Sequence, residues 1–575
     1  MKICVLHSYE GPGPDRLTKV DTVLHQLAAF TDQHTFEDLF VRKSHAKEDI
    51  NAAVAKGFDF YVNLLWGATD DPVPGLKESQ YFESLGLPSC GIRTSERAMT
   101  KNDFYENARR RGSPPVPGVN NFPLFVKPAS SSASHLIDER SLCQDEEELR
   151  GALRRINKAL YEARIRRAEY LGIEDREAYA NAYNPEGRDS DDIVVQEYIE
   201  GLDMTCSIIQ MSQACIALTP CVYRTKDTGI KGGFLTPDLK FDSGTTIEPL
   251  HKSRGPALFE RIQHVAIDAY MASGCRTNNM GCEVDVRVRS DDAVFAIGVN
   301  PLPSSFKPEV PFQDLPIIHS FPGGYRALIN TFISNASLEQ QLRGKPSKMS
   351  QEYDRMAPMY DTITMSTRLP VITKSVATEF DYHGTVFDLG CGTGLFGRLL
   401  REVQSSLPLQ DKSRLFGFDI SCGMLKECKE HGAYDAVHRA TMETALVNFA
   451  HYAEAVDHVV MFSSACLISS ELFSFLLVLC FALANKSIAL TVDHVTDKYN
   501  KALVENGCPH LQGTDHFEAI EAFGEPPGWR LKKGEREFCW TSPKTGDDIY
   551  ATCYRFERVD SASRDIMFSN QASPD

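Results

Sequence analysis

The chain has 16 cysteines among its 575 residues, but it has no C-x-x-C pair and no spacing typical of a zinc site. A chain of this length does not need disulfides to fold, so we expect reduced thiols, as in a cytoplasmic protein. The sequence also lacks a strongly basic block, and its formal net charge is −17. This balance argues against nucleic acid or an anionic membrane as the main partner.

Long hydrophobic runs are missing as well. Residues 472–484 are very apolar, but about 20 residues are needed to cross a bilayer, so this run predicts a buried helix. The first residues, Met1-Lys-Ile-Cys-Val-Leu6, predict a strand and do not have the layout of a signal peptide. No internal repeat is visible. The sequence therefore predicts a cytoplasmic globular protein with no membrane partner.

The length of the chain predicts two to four domains, because 575 residues are too many for one hydrophobic core. Strand-like and helix-like runs alternate over residues 1–340, which predicts a first α/β domain. Residues 341–350 predict a polar linker, residues 351–558 a second α/β domain, and residues 559–575 a disordered tail. The individual predictions are strands at 58–65, 123–127, 192–199 and 292–298, a helix at 146–167, and a hairpin within 529–556.

A glycine-rich turn in the second half is the most informative motif. The strand-like run 385–389 contains Asp388 and leads directly into Gly390-Cys-Gly-Thr-Gly394, and a helix-like segment follows. Glycines allow a sharp bend and leave room for a ligand to approach the backbone. Dinucleotide sites also use such a turn, but with the spelling G-x-G-x-x-G.

Two further segments accompany this turn. Residues 414–421 predict the next strand, which ends in Asp419, an acid placed to accept hydrogen bonds from ribose hydroxyls. Upstream, Tyr353-Asp-Arg-Met-Ala-Pro-Met-Tyr-Asp361 has the form Y-D-x-x-A-x-x-Y-D. Together the three segments resemble those of class I S-adenosylmethionine (SAM) methyltransferases, in which the last segment covers the cofactor. The resemblance implies a Rossmann-like fold over residues 351–558.

The same resemblance implies a set of SAM-binding residues. It places the cofactor over the glycine turn, the end of the next strand and a loop on the adenine side that begins at Thr441. The implied residues are Tyr360, Asp388, Gly390, Cys391, Gly392, Gly394, Asp419, Ile420, Met424, Thr441 and Met442.

A base for methyl transfer is sought where strands end, because ligands of open α/β sheets lie there. Residues 488–494 predict a strand that ends in Asp493 and His494. Either side chain could take a proton from an acceptor amine or hydroxyl. His494 is the catalytic candidate selected here.

The first half resembles the D-alanine–D-alanine ligase branch of the ATP-grasp superfamily over residues 1–335. The resemblance depends on Ala98-Met-Thr-Lys101, Phe125-Val-Lys-Pro128 and Gln196-Glu-Tyr-Ile-Glu-Gly-Leu-Asp203. It implies an ATP site in which lysines contact phosphates, a hinge holds adenine and Asp203 holds the ribose. The implied ATP-binding residues are Lys101, Lys127, Ser131, Ser132, Gln196, Glu197, Ile199 and Asp203, with Lys240 as a catalytic lysine.

The implied Mg²⁺ site departs from the family pattern. Asp285 and Asn300 match two family ligands, but Gly298 stands where the family has a glutamate. Glu283 and Asp285 are two residues apart on a predicted strand and therefore share a face. Glu283 is thus a candidate for the missing carboxylate, with a catalytic role through the metal, because Mg²⁺ prefers oxygen ligands. Alternatively, this half has lost metal-dependent chemistry and only binds or supports.

These resemblances imply a bifunctional biosynthetic enzyme. Its ligase half would join a small, amino-acid-like carboxylate to an amine with ATP and Mg²⁺, and its second half would methylate nitrogen or oxygen with SAM. One alternative is a methyltransferase with a catalytically inactive ATP-grasp domain, which Gly298 keeps open. A nucleotide-sensing protein with neither activity is disfavoured by the intact Asp388, Gly390, Gly392 and Asp419.

Overall fold

The computed structural model describes most of the chain. The described residues are 1–9, 26–67, 73–94, 99–130, 134–182, 192–225, 233–240, 245–301, 306, 319–341, 348–559 and 565–570. Of the predicted site residues, Ser131 and Ser132 lie outside these ranges, and so does most of the predicted 341–350 linker.

The strands are numbered in chain order. They are β1 Lys2–Ser8, β2 Thr35–Val41, β3 Phe60–Leu64, β4 Ser89–Gly91, β5 Leu124–Pro128, β6 Leu142–Cys143, β7 Ile193–Glu197, β8 Leu202–Met211, β9 Ala214–Ala217, β10 Cys221–Arg224, β11 Thr246–Pro249, β12 Gly281–Val288, β13 Val294–Asn300, β14 Thr385–Leu389, β15 Arg414–Asp419, β16 Ala436–Arg439, β17 His458–Met461, β18 Ser487–His494, β19 Trp529–Thr541, β20 Asp548–Arg558 and β21 Met567–Ser569.

The α-helices of the first half are Ala46–Ala55, Leu76–Ser84, Lys101–Arg111, Glu146–Tyr170, Arg176–Asn181, Pro237–Lys240, Pro256–Ser273 and Gly324–Gln341. Those of the second half are Lys348–Met365, Leu369–Ala377, Leu395–Val403, Cys422–His431, Met442–Val447, Ser470–Leu483, Asp497–Glu505 and Phe517–Phe523. The individual elements predicted from the sequence are confirmed, with ends that shift by up to three residues.

The described residues of the first half form three sheets. The four-stranded sheet β2-β1-β3-β4 is parallel, and the small sheet β6-β5-β7 is antiparallel. The third sheet has the antiparallel order β11-β10-β8-β12-β13, and β9 pairs with β8 beside this path. The small sheet and the third sheet supply the walls of the first cavity described below.

The second half is built on one seven-stranded sheet of order β16-β15-β14-β17-β18-β20-β19. Its first five strands are parallel, and β20 and β19 form the predicted terminal hairpin, antiparallel to β18. The order reverses between β14 and β17, so a crevice opens at their carboxyl ends, where open α/β sheets bind ligands. The two-part α/β fold predicted from the sequence is confirmed.

The apolar run 472–484 forms the helix Ser470–Leu483, in which residues 473–483 are all buried; we call it the buried helix. A helix that is apolar all round needs cover on every side. Here one side is covered by the seven-stranded sheet and the other by Gly324–Gln341 of the first half, which we call the bridging helix. One hydrophobic core therefore runs through both halves.

Buried amides fix the bridging helix in place. Asn330 accepts a hydrogen bond from His34 Nε2 at 2.8 Å, and its Nδ2 lies 3.0 Å from Ser474 Oγ on the buried helix. Asn335 Nδ2 donates to the carbonyl of Gln210 at 2.8 Å and so holds the helix against β8. Buried polar groups need such partners, and here the partners come from three different parts of the fold.

Two predictions about the junctions are corrected. The helix Lys348–Met365 begins within the predicted 341–350 linker, so residues 348–350 are helical. The expectation of a disordered tail over 559–575 is wrong for β21, which pairs antiparallel with β9 of the first half. The Phe568 ring lies 5.8 Å from that of Phe449, so this strand gains apolar cover as well as backbone hydrogen bonds. No helix in the described part of the chain is long and apolar enough to cross a membrane.

Candidate functional site

The first cavity lies between the small sheet and the antiparallel sheet of the first half, and its space of about 920 Å³ includes open solvent. Side chains from several separate segments of the chain meet there. Six of the predicted residues line it: Lys101, Lys127, Gln196, Ile199, Asp203 and Asp285.

Lys127 is held at the centre of this cavity. Its Nζ donates to the Tyr105 hydroxyl at 3.0 Å and to the carbonyl of Ile297 at 2.9 Å. The Tyr105 hydroxyl in turn lies 2.8 Å from Gln196 Oε1. Burial, and then the charge of Lys101, lower the pKa of Lys127 to about 7. Tyr105 was not predicted from the sequence, because nothing in a helical tyrosine marks it as the support of a lysine on a strand.

Lys101 brings a second positive charge into the same cavity. It is the first residue of the helix Lys101–Arg111, whose N-cap Thr100 accepts from the backbone of Asp103. Burial lowers the pKa of Lys101 to about 8, and the charge of Asp285 opposes this shift. Two ammonium groups in a buried cavity, next to a helix N-terminus, favour a bound anion. This donor set fits the phosphates of ATP.

Asp203 forms a buried ion pair that the sequence analysis did not predict. Arg287 Nη1 lies 3.1 Å from Asp203 Oδ1, and Arg287 Nη2 donates to the carbonyl of Gly201 at 2.7 Å. Glu283, Asp285 and Arg287 alternate along β12 and so lie on one face, a period-2 signal that could have revealed the arginine. A carboxylate has about four acceptor positions, so this ion pair still allows Asp203 to accept from a ribose hydroxyl.

The predicted metal ligands lie on two adjacent strands. Glu283 on β12 is the register partner of Asn300 on β13, and Asp285 is that of Gly298. A side chain at Gly298 would begin 3.7 Å from Asp285 Oδ2, which is ordinary contact distance, so the glycine leaves space beside this acid. Glu283 Oε1 accepts from Thr205 Oγ1 at 2.8 Å. The described residues contain no cluster of three or more histidine, cysteine or acidic side chains that could hold a metal.

Glu197 is not among the residues that line this cavity, and neither are Glu283 and Asn300. The Glu197 carboxylate accepts from the backbone of Asn121 at 3.1 Å and from its side chain at 2.7 Å, so it closes a turn and does not face adenine. We correct that prediction, because alternation along β7 turns Gln196 inward and Glu197 outward. Lys240 ends the short helix Pro237–Lys240.

The glycine turn lies at the carboxyl end of β14, beside the end of β15. Gly390 and Gly392 have φ of 74° and 52°, left-handed values that favour glycine. Asp419 Oδ2 accepts from the Gly392 N–H at 3.0 Å, and Asp419 Oδ1 accepts from the Ser421 N–H at 2.8 Å. Burial raises the pKa of Asp419, and these backbone donors oppose the shift. A Cβ at Gly392 would meet only the Tyr360 ring, at 3.8 Å, so space for a ligand remains above it.

Three predicted residues, Asp388, Cys391 and Gly394, make contacts that support the glycine turn. Asp388 is buried and accepts a short hydrogen bond from the Tyr434 hydroxyl, and burial raises its pKa to about 7. Cys391 packs against Cys428 in a small apolar cluster. A Cβ at Gly394 would lie 2.9 Å from Cys428 Sγ, so this glycine allows the turn to pack closely on the helix Cys422–His431. These positions therefore shape the turn rather than face the space above it.

The remaining predicted residues surround the same crevice. Met424 is buried in the helix after β15, and the carbonyl of Ile420 accepts from Arg439 Nε at 3.2 Å. Thr441 caps the helix Met442–Val447 by accepting from the Thr444 N–H. The Met442 Cε would lie 3.1 Å from a Cβ at Gly390, so this side chain reaches the glycine turn.

The helix Lys348–Met365 covers the crevice, and we call it the lid helix. Asp354 accepts from Ser421 Oγ at 2.6 Å and from the Gly423 N–H at 2.8 Å. About two helical turns further along, Asp361 pairs with Arg398 Nη1 at 2.9 Å and with His431 Nε2 at 3.0 Å. The two aspartates of the Y-D segment thus fasten the lid helix to the walls of the crevice.

A second cavity begins under the lid helix and extends over the ends of β17 and β18, and its space of about 1020 Å³ includes open solvent; we call it the acceptor cavity. Asp493 lines it and is only 3 % exposed. His494 does not line it: its Nε2 lies 2.8 Å from Thr552 Oγ1 and its Nδ1 lies 3.4 Å from Asp515 Oδ2. We therefore correct the choice of His494, because successive residues of a strand face opposite sides.

Comparisons with known proteins find similar proteins for each half of the chain. No family model matches the chain. A D-alanine–D-alanine ligase from Fervidobacterium nodosum is 24% identical over 328 residues, which cover 55% of this chain and 92% of that protein. Among solved structures, the VanG D-Ala:D-Ser ligase from Enterococcus faecalis covers 58% of this chain and 99% of its own, with 15% identity and a TM-score of 0.38.

The second half has its own counterparts. Magnesium protoporphyrin IX methyltransferase from Synechocystis, solved with bound S-adenosylhomocysteine, matches 40% of this chain and 99% of its own, with 15% identity and a TM-score of 0.24. The first half is thus similar to D-alanine–D-alanine ligases, and the second half is similar to a methyltransferase.

Proposed function

We propose that the protein is a bifunctional enzyme, which joins a small carboxylate to an amine with ATP and Mg²⁺ and methylates a small molecule with SAM. The observation that carries the ligase part is the meeting of Lys101, Lys127, Asp203 and Asp285 in one cavity, although they lie far apart in the chain. We further propose amino-acid-like substrates, because the ligase relatives named above use them.

In the ligase half, this chain's residues bind and orient the nucleotide. Lys101 and Lys127 would neutralise phosphate charge, Ile199 and Gln196 would border the adenine, and Asp203 would accept from the ribose. Glu283, Asp285 and Asn300 offer oxygen ligands to Mg²⁺. When bound, ATP would supply the phosphoryl group that activates the carboxylate for capture by the amine. The cationic groups act mainly by positioning and electrostatics.

In the methyltransferase half, the residues align an acceptor and exclude water. Asp419 and the backbone of Gly392 would hold the cofactor, and Tyr353 and Tyr360 of the lid helix line the adjoining acceptor cavity. When bound, SAM would supply an activated methyl group. Asp493 is the group of the acceptor cavity that can take a proton from the acceptor. An apolar cavity favours such a transfer, because it holds the acceptor in line and limits competing water.

Two assays of the full chain test this function. The ligase part requires ADP release that depends on Mg²⁺ and on amino acids, with a library of amino acids as substrates and mass spectrometry of the products. The methyltransferase part requires SAM binding in calorimetry and a mass increase of 14 Da (one CH₂ unit) in a product. Absence of amino-acid-dependent ADP release in the wild type, with intact SAM binding, contradicts the ligase part alone.

The second candidate is a methyltransferase with an ATP-grasp domain that binds nucleotide without turnover. The space at Gly298 beside Asp285 favours it, because a carboxylate that the ligase resemblance implies is missing there. ATP binding that is unaffected by Mg²⁺, together with methylation of a supplied acceptor, would support this candidate.

A further inference from the structure

We propose that the methyl acceptor is an amine carried on an apolar or aromatic body, which binds in the acceptor cavity with its nitrogen next to Asp493. This inference rests on the proposed methyltransferase function and specifies its acceptor atom. It predicts nitrogen methylation rather than oxygen methylation.

Four aromatic side chains line the acceptor cavity, together with aliphatic ones. Tyr353 and Tyr360 come from the lid helix, Tyr499 from the helix Asp497–Glu505, and Trp540 from β19. Faces of tyrosine and tryptophan rings attract cations and also pack against apolar groups. The walls therefore suit a ligand that combines an apolar body with a positive charge.

Asp493 is the one acidic side chain among the described residues that line this cavity. Its Oδ1 atom is buried without a hydrogen-bond partner, its Oδ2 atom accepts a long contact from Cys466 Sγ at 3.5 Å, and the Ser463 side chain favours its ionised form. A buried carboxylate with so few donors is costly. An ammonium group offers both the missing charge and the missing donors, whereas an alcohol offers no charge and a carboxylate repels.

The basic residue at the cavity does not offset this charge. Lys544 Nζ lies 2.8 Å from Glu352 Oε1 on the lid helix, so its ion pair is made at the rim. Burial raises the pKa of Asp493 to about 7, and the nearby Asp515 adds to the shift. A cationic ligand would reverse this shift by favouring the ionised carboxylate.

The proposed chemistry balances without another reactant. The acceptor enters as an ammonium ion and passes one proton to the Asp493 carboxylate, which leaves a lone pair on nitrogen. That lone pair forms the new carbon–nitrogen bond while the carbon–sulfur bond of the sulfonium breaks and its electron pair stays on sulfur. The methylated ammonium product leaves, and Asp493 returns its proton to solvent.

The test uses the full chain saturated with S-adenosylhomocysteine, which occupies the cofactor crevice without turnover. Three probes of similar size carry different polar groups on a phenyl body: 2-phenylethylamine, 2-phenylethanol and phenylacetate. Binding is measured by calorimetry and by the fluorescence of Trp540, with Trp540→Phe to assign the signal. We expect the amine to bind at least ~10-fold more tightly than the alcohol, in line with a charged hydrogen bond, and phenylacetate to bind weakest.

Two variants test whether the preference for the amine depends on Asp493. Asp493→Asn keeps the shape and removes the charge, so the amine should lose its advantage over the alcohol. Asp515→Asn removes an acid that contacts His494 and does not line the cavity, so the preference should remain. A thermal melt of each variant shows that it is folded.

The outcomes separate this inference from the proposed function. If S-adenosylhomocysteine does not bind the wild type, the methyltransferase function and the inference both fail. If it binds, but the three probes bind equally or not at all, the methyltransferase function stands and the amine assignment is overturned. A preference for the amine that survives in Asp493→Asn also overturns the assignment.

Discussion

Asp493 and His494 are neighbours in the chain but face opposite sides of β18. Asp493 lines the acceptor cavity with an unpartnered Oδ1 atom, while the His494 ring pairs with Thr552 on β20 and with Asp515. A proton acceptor for methyl transfer must reach the acceptor atom, and only the first of these side chains lies at the cavity.

The ligand-free protein should be less stable at a pH at which Asp493 is ionised. Its folded pKa, about 7, is above the ordinary value of 3.8 because of burial. The stabilising contribution of this group is therefore fully present below about pH 4 and is lost as the pH rises to 7. We expect Asp493→Asn to raise the melting temperature at pH 8 and to change it little at pH 4. An equal shift at both pH values would contradict the assignment.

Asp419→Ala should weaken SAM binding by roughly 10- to 100-fold, because hydrogen bonds to a charged acceptor contribute about 1.5–3 kcal/mol. Isothermal calorimetry on the full chain measures this loss. Asp435→Ala is the control, because its carboxylate lies 3.0 Å from Arg401 and outside the crevice. Equal SAM affinity of the wild type and Asp419→Ala would exclude Asp419 as a cofactor ligand.

Gly390→Ala and Gly392→Ala should separate stability from binding. Both glycines have positive φ, so both variants carry similar backbone strain. A Cβ at Gly390 would lie 2.6 Å from the Ser464 side chain, whereas a Cβ at Gly392 would meet only the Tyr360 ring, at 3.8 Å. We expect the larger fall in melting temperature for Gly390→Ala and the larger loss of SAM affinity relative to stability for Gly392→Ala. The reverse order would contradict the proposed position of the cofactor.

Lys127→Ala should weaken ATP binding more than AMP binding, because only ATP carries the outer phosphates. The lowered pKa of Lys127, about 7, adds a second observable. Phosphates favour the charged lysine, so ATP binding at pH 8 should take up a proton, which calorimetry in buffers of different ionisation enthalpy detects. The uptake should vanish in Lys127→Ala and persist in Lys56→Ala, whose exposed side chain pairs with Glu37.

Glu283→Gln should abolish amino-acid-dependent ADP release while SAM binding stays unchanged. The substitution keeps the shape and removes one of two carboxylates offered to Mg²⁺. Glu248→Gln is the matched control, because Glu248 is exposed and pairs with Arg224 on the same sheet. If the wild type turns over and Glu283→Gln does so at the same rate, the ligase proposal survives and the metal site is elsewhere.

Phe568→Ala should lower the free energy of unfolding by roughly 1–3 kcal/mol, because its partly buried ring packs against Phe449. Urea unfolding followed by tryptophan fluorescence measures the change. Leu409→Ala provides the control, since Leu409 is 84% exposed. If both substitutions change the unfolding free energy equally, β21 does not fasten the two halves.

The sequence predicted the architecture well where motifs are local. The glycine turn, Asp419 and the Y-D segment are each contiguous, and their roles follow from strand ends and turn geometry. Lys101, Lys127 and Asp203 came together as the ligase resemblance implied, because each lies at the end of a strong element.

Two site residues were predicted wrongly because neighbouring residues of a strand face opposite sides. Glu197 and His494 were chosen although their neighbours Gln196 and Asp493 face the cavities. The alternation of a strand means that two neighbouring side chains point to opposite faces, but only the packed sheet shows which of them faces inward. Arg287 and Tyr105 were missed because their partners, Asp203 and Lys127, are distant in the chain. β21 was missed because a short strand in a polar tail gains its order only from the edge that receives it.

The shared core restricts how this protein can be divided. Separated at residue 345, the second half would present one side of its buried helix to water, and the first half would present the matching side of the bridging helix. Bare apolar surface of that kind favours aggregation. Neither half can therefore be exchanged for an unrelated partner unless the new partner covers the same helix. Variants of either activity must be made within the intact chain.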